Sequence, residues 1–177
     1  MPKSNRVALI VMIAVMILSS SISAVGAMNK MSKDINDHFF TGDEFNLSIH
    51  GDLDKKTVIA TNVANLARYY ISEKDDHLKA ITDTVQAMTR ETSVSKLFKL
   101  NSTLDDNVNY VINQLNGLEL SDTHKKMLTG YAADYKSKST TIANDNYNTL
   151  VKGYYDEISG FPGIIFRIFA KNPEYFK

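Results

Sequence analysis

Four histidines, at positions 38, 50, 77 and 124, are the side chains in this chain best suited to metal binding or proton transfer. Asp34 and His38 are four residues apart, as are Glu73 and His77, so each pair would share one face of a helix. Such pairs are more often found on a solvated helix face than in a site. Di-iron helical proteins require Glu-x-x-His in two helices, and that motif does not occur in the sequence. We therefore expect no metal site.

The carboxylates and hydroxyls form no recognisable catalytic pattern either. His50 with Asp52 and Asp54 is a further close grouping of potential ligands. The pairs at 75–76 and 105–106 are adjacent aspartates, which do not face each other on a helix. There is no Gly-x-Ser-x-Gly elbow, no phosphate-cradling glycine loop and no cysteine. The sequence therefore predicts no enzymatic activity, no cofactor and no catalytic residue.

Length and charge narrow the classes of protein further. The chain has 177 residues, 44% of them hydrophobic, which suits one domain of ordinary size. Its 20 basic and 20 acidic residues cancel, so a nucleic-acid partner has no electrostatic support.

Apolar residues recur at helical spacing through most of the chain. One helix is predicted from Ile49 to Tyr70, and a second from the acidic start at Asp75-Asp76 to Asn116-Gly117. If residues 76–116 are one helix, it is about 60 Å long. A third helix is predicted after the cap at residues 121–123, continuing to residue 158. No segment has a strand pattern. We therefore predict an all-α fold, a rod-like bundle of long antiparallel helices with coiled-coil character.

The N-terminus has the features of a membrane-targeting segment. Lys3 and Arg6 precede Val7–Met28, which contains no charged residue. A spanning helix needs about 20 mostly apolar residues, whereas a cleavable signal needs a shorter apolar run and a small-residue site such as residues 24–27. Both interpretations stay open. We predict an anchor or signal over residues 1–29 and a helical domain over 30–177, with Val7–Met28 contacting lipid. The basic residues favour an extracytoplasmic domain on a single-pass protein of a bacterial membrane, or a secreted one after cleavage.

Two further features have structural and functional interpretations. Several asparagines lie near the predicted helix seams, where they would fix register or line a polar groove: residues 62, 65, 109, 113, 116, 144, 146 and 148. The apolar segment Phe161–Ala170 is too short to span a bilayer. We expect it to fold back as a short helix that covers the core; the alternative is that Phe166, Ile168 and Phe169 contact lipid or a partner.

The segment SIHGDLDKKTVIATNVANLARYY, residues 48–70, resembles the first-helix pattern of the LemA family of bacterial membrane proteins. The positions that match this pattern are Leu53, Lys55, Lys56, Ile59, Ala60, Asn62, Val63 and Tyr70. Lysines replace the usual arginine pair, and Thr61 replaces the usual proline.

The segment YNTLVKGYYDEISGFP, residues 147–162, is similar to the family's C-terminal pattern, with Tyr147-Asn148 and Phe161-Pro162 intact. The second Tyr-Asn pair is here Tyr154-Tyr155, and Asn144 replaces an arginine. The resemblance implies a membrane anchor, a domain of long antiparallel helices and no established activity. It brings no catalytic residue; the marked positions Leu53, Lys55, Lys56, Asn62, Tyr70, Tyr147, Asn148, Phe161 and Pro162 are expected to be structural.

Three classes of function follow. The first is a membrane-anchored, non-catalytic scaffold or adaptor that presents a helical surface to lipid or to an unknown envelope protein, with homo-oligomerisation left open. The second is an extracytoplasmic sensor that binds a ligand in a polar groove between helices. The third, a metal-dependent hydrolase, has the least support in the sequence.

Overall fold

The structure is a computed structural model that describes residues 3–42, 48–160 and 163–177, without the side chains at 3–7, 13, 14, 17, 18, 164 and 166. The helices are α1 (Lys3–Phe40), α2 (Ile49–Ala67), α3 (Asp76–Met88), α4 (Val94–Asn116), α5 (Asp122–Ala143), α6 (Tyr147–Ile158) and α7 (Gly163–Phe166), followed by a 3₁₀ turn at Arg167–Phe169. The described residues contain no strand. The all-α prediction is confirmed.

The helices begin where the sequence supplies a capping side chain. Ser48, Asp75, Ser93 and Ser121 have extended backbone angles, and each side chain accepts a hydrogen bond from a backbone N–H of the first turn. These bonds satisfy donors that have no partner within the helix. The predicted starts at residues 75–76 and 121–123 and the predicted end at Asn116-Gly117 are confirmed.

The predicted single helix over residues 76–116 is wrong, because α3 and α4 are separate. Thr89 ends α3, and the Ser93 side chain caps α4 by accepting from Lys96 N at 3.4 Å. Between them, Glu91 Oε1 accepts from the backbone N–H groups of Thr92 and Ser93, at 2.9 and 2.8 Å. These local hydrogen bonds compete with the helical ones. A polar stretch therefore breaks the apolar pattern into two helices.

The predicted continuous helix over residues 122–158 is wrong for a similar reason. Asn144 ends α5, and Asp145 Oδ1 accepts from Tyr147 N at 2.7 Å at the start of α6. The apolar spacing persists through this break, so periodicity alone does not reveal it. An aspartate two residues before a helical tyrosine was the available signal.

The chain divides into two compact units, the first of residues 1–37 and 149–173, the second of residues 38–148 and 174–177. In the second unit, α2 packs against α3, α4 and α5, and α3 packs against α4. The core side chains of these helices lie at the predicted apolar positions, among them Leu53, Ala60, Val63, Leu78, Ile81, Leu97, Leu104, Val108, Val111 and Leu115.

In the first unit, hydrogen bonds join α1 and α6 to the segment after the 3₁₀ turn. Asn29 Oδ1 accepts from Lys171 N at 2.8 Å, and Tyr154 Oη donates to Lys171 O at 3.2 Å. Tyr155 Oη donates to Pro173 O at 3.1 Å. The short helix predicted within Phe161–Ala170 is present over the described residues. The prediction that this segment covers the core is wrong for Ile165, Ile168 and Phe169, whose side chains are 49–73% exposed.

Helix α1 is continuous across the predicted domain boundary between residues 29 and 30. Among the described residues, none of the helices combines the length and the apolar character needed to cross a bilayer. Part of the predicted lipid-contacting segment Val7–Met28 lies outside the described side chains, at positions 7, 13, 14, 17 and 18. Between residues 9 and 22 of α1, the large apolar side chains that are described are exposed: Leu9, Ile10, Val11, Met12, Val15, Met16 and Ile22. Met28, the last residue of the predicted lipid-contacting segment, is buried, so lipid contact is wrong for that residue.

Candidate functional site

Lys56 is the centre of a buried polar cluster in the second unit. Lys56 belongs to α2, and its side chain is fully buried although it ends in an ammonium group. Lys56 Nζ donates to Asn101 Oδ1 at 2.7 Å and to Asp105 Oδ1 at 2.5 Å, both on α4. The Tyr135 ring of α5 covers the ammonium, with 4.7 Å from Nζ to the ring centroid. The ammonium of Lys56 on α2 therefore contacts side chains of both α4 and α5.

Burial opposes the charge of Lys56. The loss of hydration lowers the pKa of Lys56, while the hydrogen bond and negative charge of Asp105 act in the opposite direction. Asn101, only 8% exposed, donates from Nδ2 to Asp105 Oδ2 at 3.3 Å and so orients that carboxylate. A buried charge of this kind is stabilised when an opposite charge and further hydrogen-bond acceptors lie against it, as Asp105 and Asn101 do here.

Tyr135 is the unpaired member of this cluster. Burial raises its pKa, and the negative charge of nearby Asp105 raises it further. The Tyr135 hydroxyl is buried and has no hydrogen-bond partner among the described residues. A buried hydroxyl without a partner costs free energy, since it has lost its hydrogen bonds to water.

We therefore predict that Tyr135→Phe raises the free energy of unfolding by about 1 kcal/mol, because it removes the unpaired hydroxyl and keeps the ring over Lys56. Urea denaturation followed by far-UV circular dichroism measures the change. Tyr131→Phe, on the same helix and half-buried, is the control and should change stability by less than about 0.5 kcal/mol. A loss of stability for Tyr135→Phe would mean that the hydroxyl donates to Asp105 in solution.

Helix α5 is attached to the unit along one narrow seam. Within Asp122–Ala143, the buried residues are Leu128, Tyr135 and Ile142, seven residues apart. An ion pair beside this seam joins Lys138 Nζ to the buried Asp52 Oδ1 at 2.9 Å, but its geometry is not that of a hydrogen bond. The remaining faces of α5 are exposed or half-buried.

Open clefts lie on both sides of α5. The cleft between α5 and α2 has a volume of about 390 Å³ and is lined by apolar Val58 and Ile59 together with Asp134 and Lys138. The cleft between α5 and α4 has a volume of about 460 Å³ and includes Asp105, Asn109, Ile112 and Tyr135. Val58 is 60% exposed. The polar cluster therefore lies at the edge of an accessible groove.

The histidines take part in separate contacts. His38 Nε2 pairs with Asp145 Oδ1 at 3.1 Å, not with Asp34. His77 Nδ1 lies 2.8 Å from Asn107 Oδ1, and Glu73 does not share a helix with His77, because α3 begins at Asp76. His50 faces Asp54 at 3.4 Å. Among the described residues, no group of three or more His, Asp or Glu side chains has a metal-binding arrangement.

The marked family positions are dispersed. Leu53 is buried in α2, Lys55 Nζ lies 4.0 Å from Asp52, and Asn62 is half-buried. Tyr70 Oη lies 2.6 Å from His124 Nδ1 and accepts from Ser121 N at 3.3 Å. Phe161 and Pro162 lie outside the described residues.

Tyr147 and Asn148 bind residues 174–176, which lie in the same unit. Tyr147 Oη donates to Glu174 O at 2.7 Å. The Asn148 side chain brackets Phe176: Nδ2 donates to Phe176 O at 2.8 Å, and Oδ1 accepts from Phe176 N at 2.9 Å. Both residues were marked from the sequence, but their partners were not predicted. The other asparagines that were predicted to lie near seams are mostly exposed. In the part of the chain that the structure describes, the buried asparagine is Asn101, which the spacing did not indicate.

The carboxylate of Glu174 lies against the N-terminus of α4. Its Oε2 accepts from Ser93 Oγ at 2.7 Å, and from Ser95 N and Oγ, both at 3.0 Å. These bonds, of which the one from Ser93 contributes most, lower the pKa of Glu174 below its ordinary value of 4.5, and the positive charge of Lys96 adds a smaller contribution. Because the folded pKa is depressed, this contribution is complete above pH 4.5 and is lost as the pH falls through the folded value.

We therefore predict that residues 174–176 bind less tightly below pH 4.5, before α4 unfolds. The NMR signal of the Phe176 amide, which donates to Asn148, should shift toward its random-coil value, and Glu174→Gln should remove this acid transition. Glu91 is the control, since hydrogen bonds from Ser93 and Thr92 lower its pKa too. In Glu91→Gln the transition of the Phe176 signal should remain. Its disappearance in that variant would assign the transition to Glu91.

No protein-family model matches the chain, and neither a curated protein nor a solved structure matches it.

Proposed function

We propose that this chain is a membrane-anchored envelope protein of LemA type, a non-catalytic adaptor that presents helix α5 to a protein partner. The observation that carries the proposal is the single seam of α5. A helix of 22 residues that buries only Leu128, Tyr135 and Ile142 leaves most of its surface available. Interfaces of standard size need roughly 800 Å² on each partner, which a helix of this length with two flanking clefts can supply.

The membrane tether is supported by the sequence and by the exposed apolar side chains of the first unit. Val7–Met28 contains no charge, and exposed residues of α1 such as Ile10 and Ile22 are 65% and 73% exposed. Ile168 and Phe169, in the same unit, are 73% and 70% exposed. Exposed apolar side chains in such number are normally covered by lipid or by another protein. We propose that Val7–Met28 enters the bilayer with the helical domain outside the cell, as a rod-like antiparallel bundle.

Capture of complexes from cells tests the adaptor role. A tagged chain should recover a specific envelope protein, and Val58→Glu should abolish the recovery, because it places a charge in the apolar cleft beside α5. Leu118→Glu is a matched control: Leu118 is exposed, at 44%, and lies outside that cleft. Equal recovery by both variants, or recovery of background alone, would refute the adaptor role.

A separate experiment tests whether the chain is held at the membrane with its helical domain outside the cell. A C-terminal tag should be digested by protease on intact cells, and the protein should sediment with the membrane fraction. Mass spectrometry of the N-terminus then distinguishes an anchor from a cleaved signal, which would end near Ala27 or Met28. Protection of the tag in intact cells would reverse the proposed topology.

A second candidate, a ligand-binding sensor, is favoured by the groove between α4 and α5. Its 460 Å³ volume lies in the range of small-molecule sites, and Asp105 and Asn109 in its lining supply polar groups. A ligand that binds there raises the melting temperature of the wild-type domain. That stabilisation should be reduced in Asn109→Ala. A broad thermal-shift screen without a stabilising compound would count against the sensor.

A further inference from the structure

Residues 174–176 lie in a groove that recognises three features of an extended peptide. We call it the tail groove and define it by Phe39, Ser93, Ser95, Phe98, Tyr147 and Asn148. It combines the end of α1, the first turn of α4 and the start of α6. All of these residues belong to the second unit.

The first feature is a carboxylate. Glu174 Oε2 accepts three hydrogen bonds at the start of α4, where Ser95 offers a backbone N–H that has no partner within the helix. The positive end of the helix dipole adds to this attraction. An alanine at the position of Glu174 would lose both contributions, and a glutamine would lose the attraction to the helix dipole.

The second feature is extended backbone. Asn148 donates to the carbonyl and accepts from the amide of one residue, Phe176, as a neighbouring strand would. Tyr147 Oη donates to the carbonyl of Glu174, two residues earlier. These three bonds fix the direction and register of the bound segment without reading its side chains.

The third feature is an aromatic side chain. Phe176 is 7% exposed, and its ring centroid lies 5.5 Å from that of Phe39 and 5.2 Å from that of Phe98. Phe39 itself is fully buried. Tyr175, between the two recognised residues, is half-buried and carries Lys177 Nζ over its ring at 3.9 Å. The groove therefore reads the pattern Glu-x-Phe.

We propose that the tail groove is a recognition site for an extended Glu-x-Phe segment of a partner protein, and that residues 174–176 are its resident occupant. An attached segment has a high effective concentration, on the order of millimolar for short flexible linkers. It therefore competes with a partner segment and occupies the groove until a segment of higher affinity displaces it. This inference does not depend on the membrane tether or on α5.

A partner segment is a better occupant than the same residues of a second copy. Exchange between two copies would replace each contact with an identical one, while association costs translational and rotational entropy. A partner can add contacts beyond the three residues. The charge at the α4 N-terminus selects an acidic residue two positions before the aromatic one.

The test uses the full chain with its own segment weakened by Glu174→Ala and Phe176→Ala. A fluorescent peptide with the sequence of residues 171–177 should bind this double variant saturably in an anisotropy titration. Wild type should bind the peptide at least about tenfold more weakly, because its own segment occupies the groove. Adding Asn148→Ala to the double variant should weaken binding about tenfold, by removing two hydrogen bonds.

The controls decide between specific recognition and its alternatives. A peptide with alanine in place of the phenylalanine should not bind. If the double variant loses its helical circular dichroism, Glu174→Gln replaces it in the same comparison. The proposal is overturned if the folded variant shows no saturable binding, or if wild type or the alanine peptide binds equally well. It is also overturned if wild type forms a concentration-dependent dimer that the double variant lacks, because the occupant is then a second copy. Failure here leaves the α5 adaptor test unaffected, since that test changes Val58 and is read in cells.

Discussion

Replacing Asp105 with alanine is expected to lower the free energy of unfolding by about 3 kcal/mol, the low end of the range for breaking a buried ion pair. Lys56 is fully buried, and its nearest carboxylate is Asp105, at 2.5 Å. Without Asp105 the ammonium would keep one hydrogen bond, to Asn101, and no opposing charge in this cluster. Urea denaturation followed by far-UV circular dichroism measures the loss.

Two variants distinguish a lost pair from a general effect on α4. Asp106→Ala changes the adjacent, exposed aspartate and should cost less than about 0.5 kcal/mol. Lys56→Met combined with Asp105→Ala should recover most of the loss, because it removes the charge that the single variant leaves unpaired. If the double variant is as unstable as Asp105→Ala, the cost comes from packing and not from the buried charge.

Leu128→Ala is expected to lower the free energy of unfolding by about 3 kcal/mol and to loosen α5 first. Leu128 is 2% exposed and is one of three buried residues that hold this helix. Hydrogen exchange should therefore accelerate in α5 more than in α3 or α4. Met127→Ala, one position earlier and 40% exposed, is the control and should change stability by less than about 0.5 kcal/mol.

An equal loss of unfolding free energy in Leu128→Ala and Met127→Ala would contradict the attachment of α5 through one narrow seam. It would mean that α5 is held by a wider surface than Leu128, Tyr135 and Ile142. The free surface on which the adaptor proposal depends would then be smaller than the structure indicates.

The helices were predictable where their ends depend on local chemistry. Asp75 and Ser121 cap the helices that follow them, and Gly117 follows the last residue of α4, as the sequence indicates. The breaks at residues 89–93 and 144–146 were missed, because apolar spacing continues on both sides of each. In both places a side-chain carboxylate, of Glu91 or Asp145, accepts backbone N–H groups.

The site residues were predictable only in part, since their partners are distant in the sequence. Lys56 was marked from a family resemblance, but its burial depends on Asn101 and Asp105, 45 and 49 residues later. A lysine within an apolar helical pattern gives no signal of which helix supplies its carboxylate. Asn148 was marked similarly, and its contact with Phe176 spans 28 residues. Tertiary packing, not local spacing, creates both clusters.

The most direct test of the adaptor role is site-specific photo-crosslinking along α5 in living cells. Lys126, Ala133 and Thr140 lie opposite the seam at its seven-residue spacing and are exposed. A photoreactive residue at each should trap the same protein partner, while exposed control positions on other helices, Asp83 in α3 and Asn113 in α4, should not. Background products alone at the α5 positions, or one common product from α5 and control positions, would contradict the account.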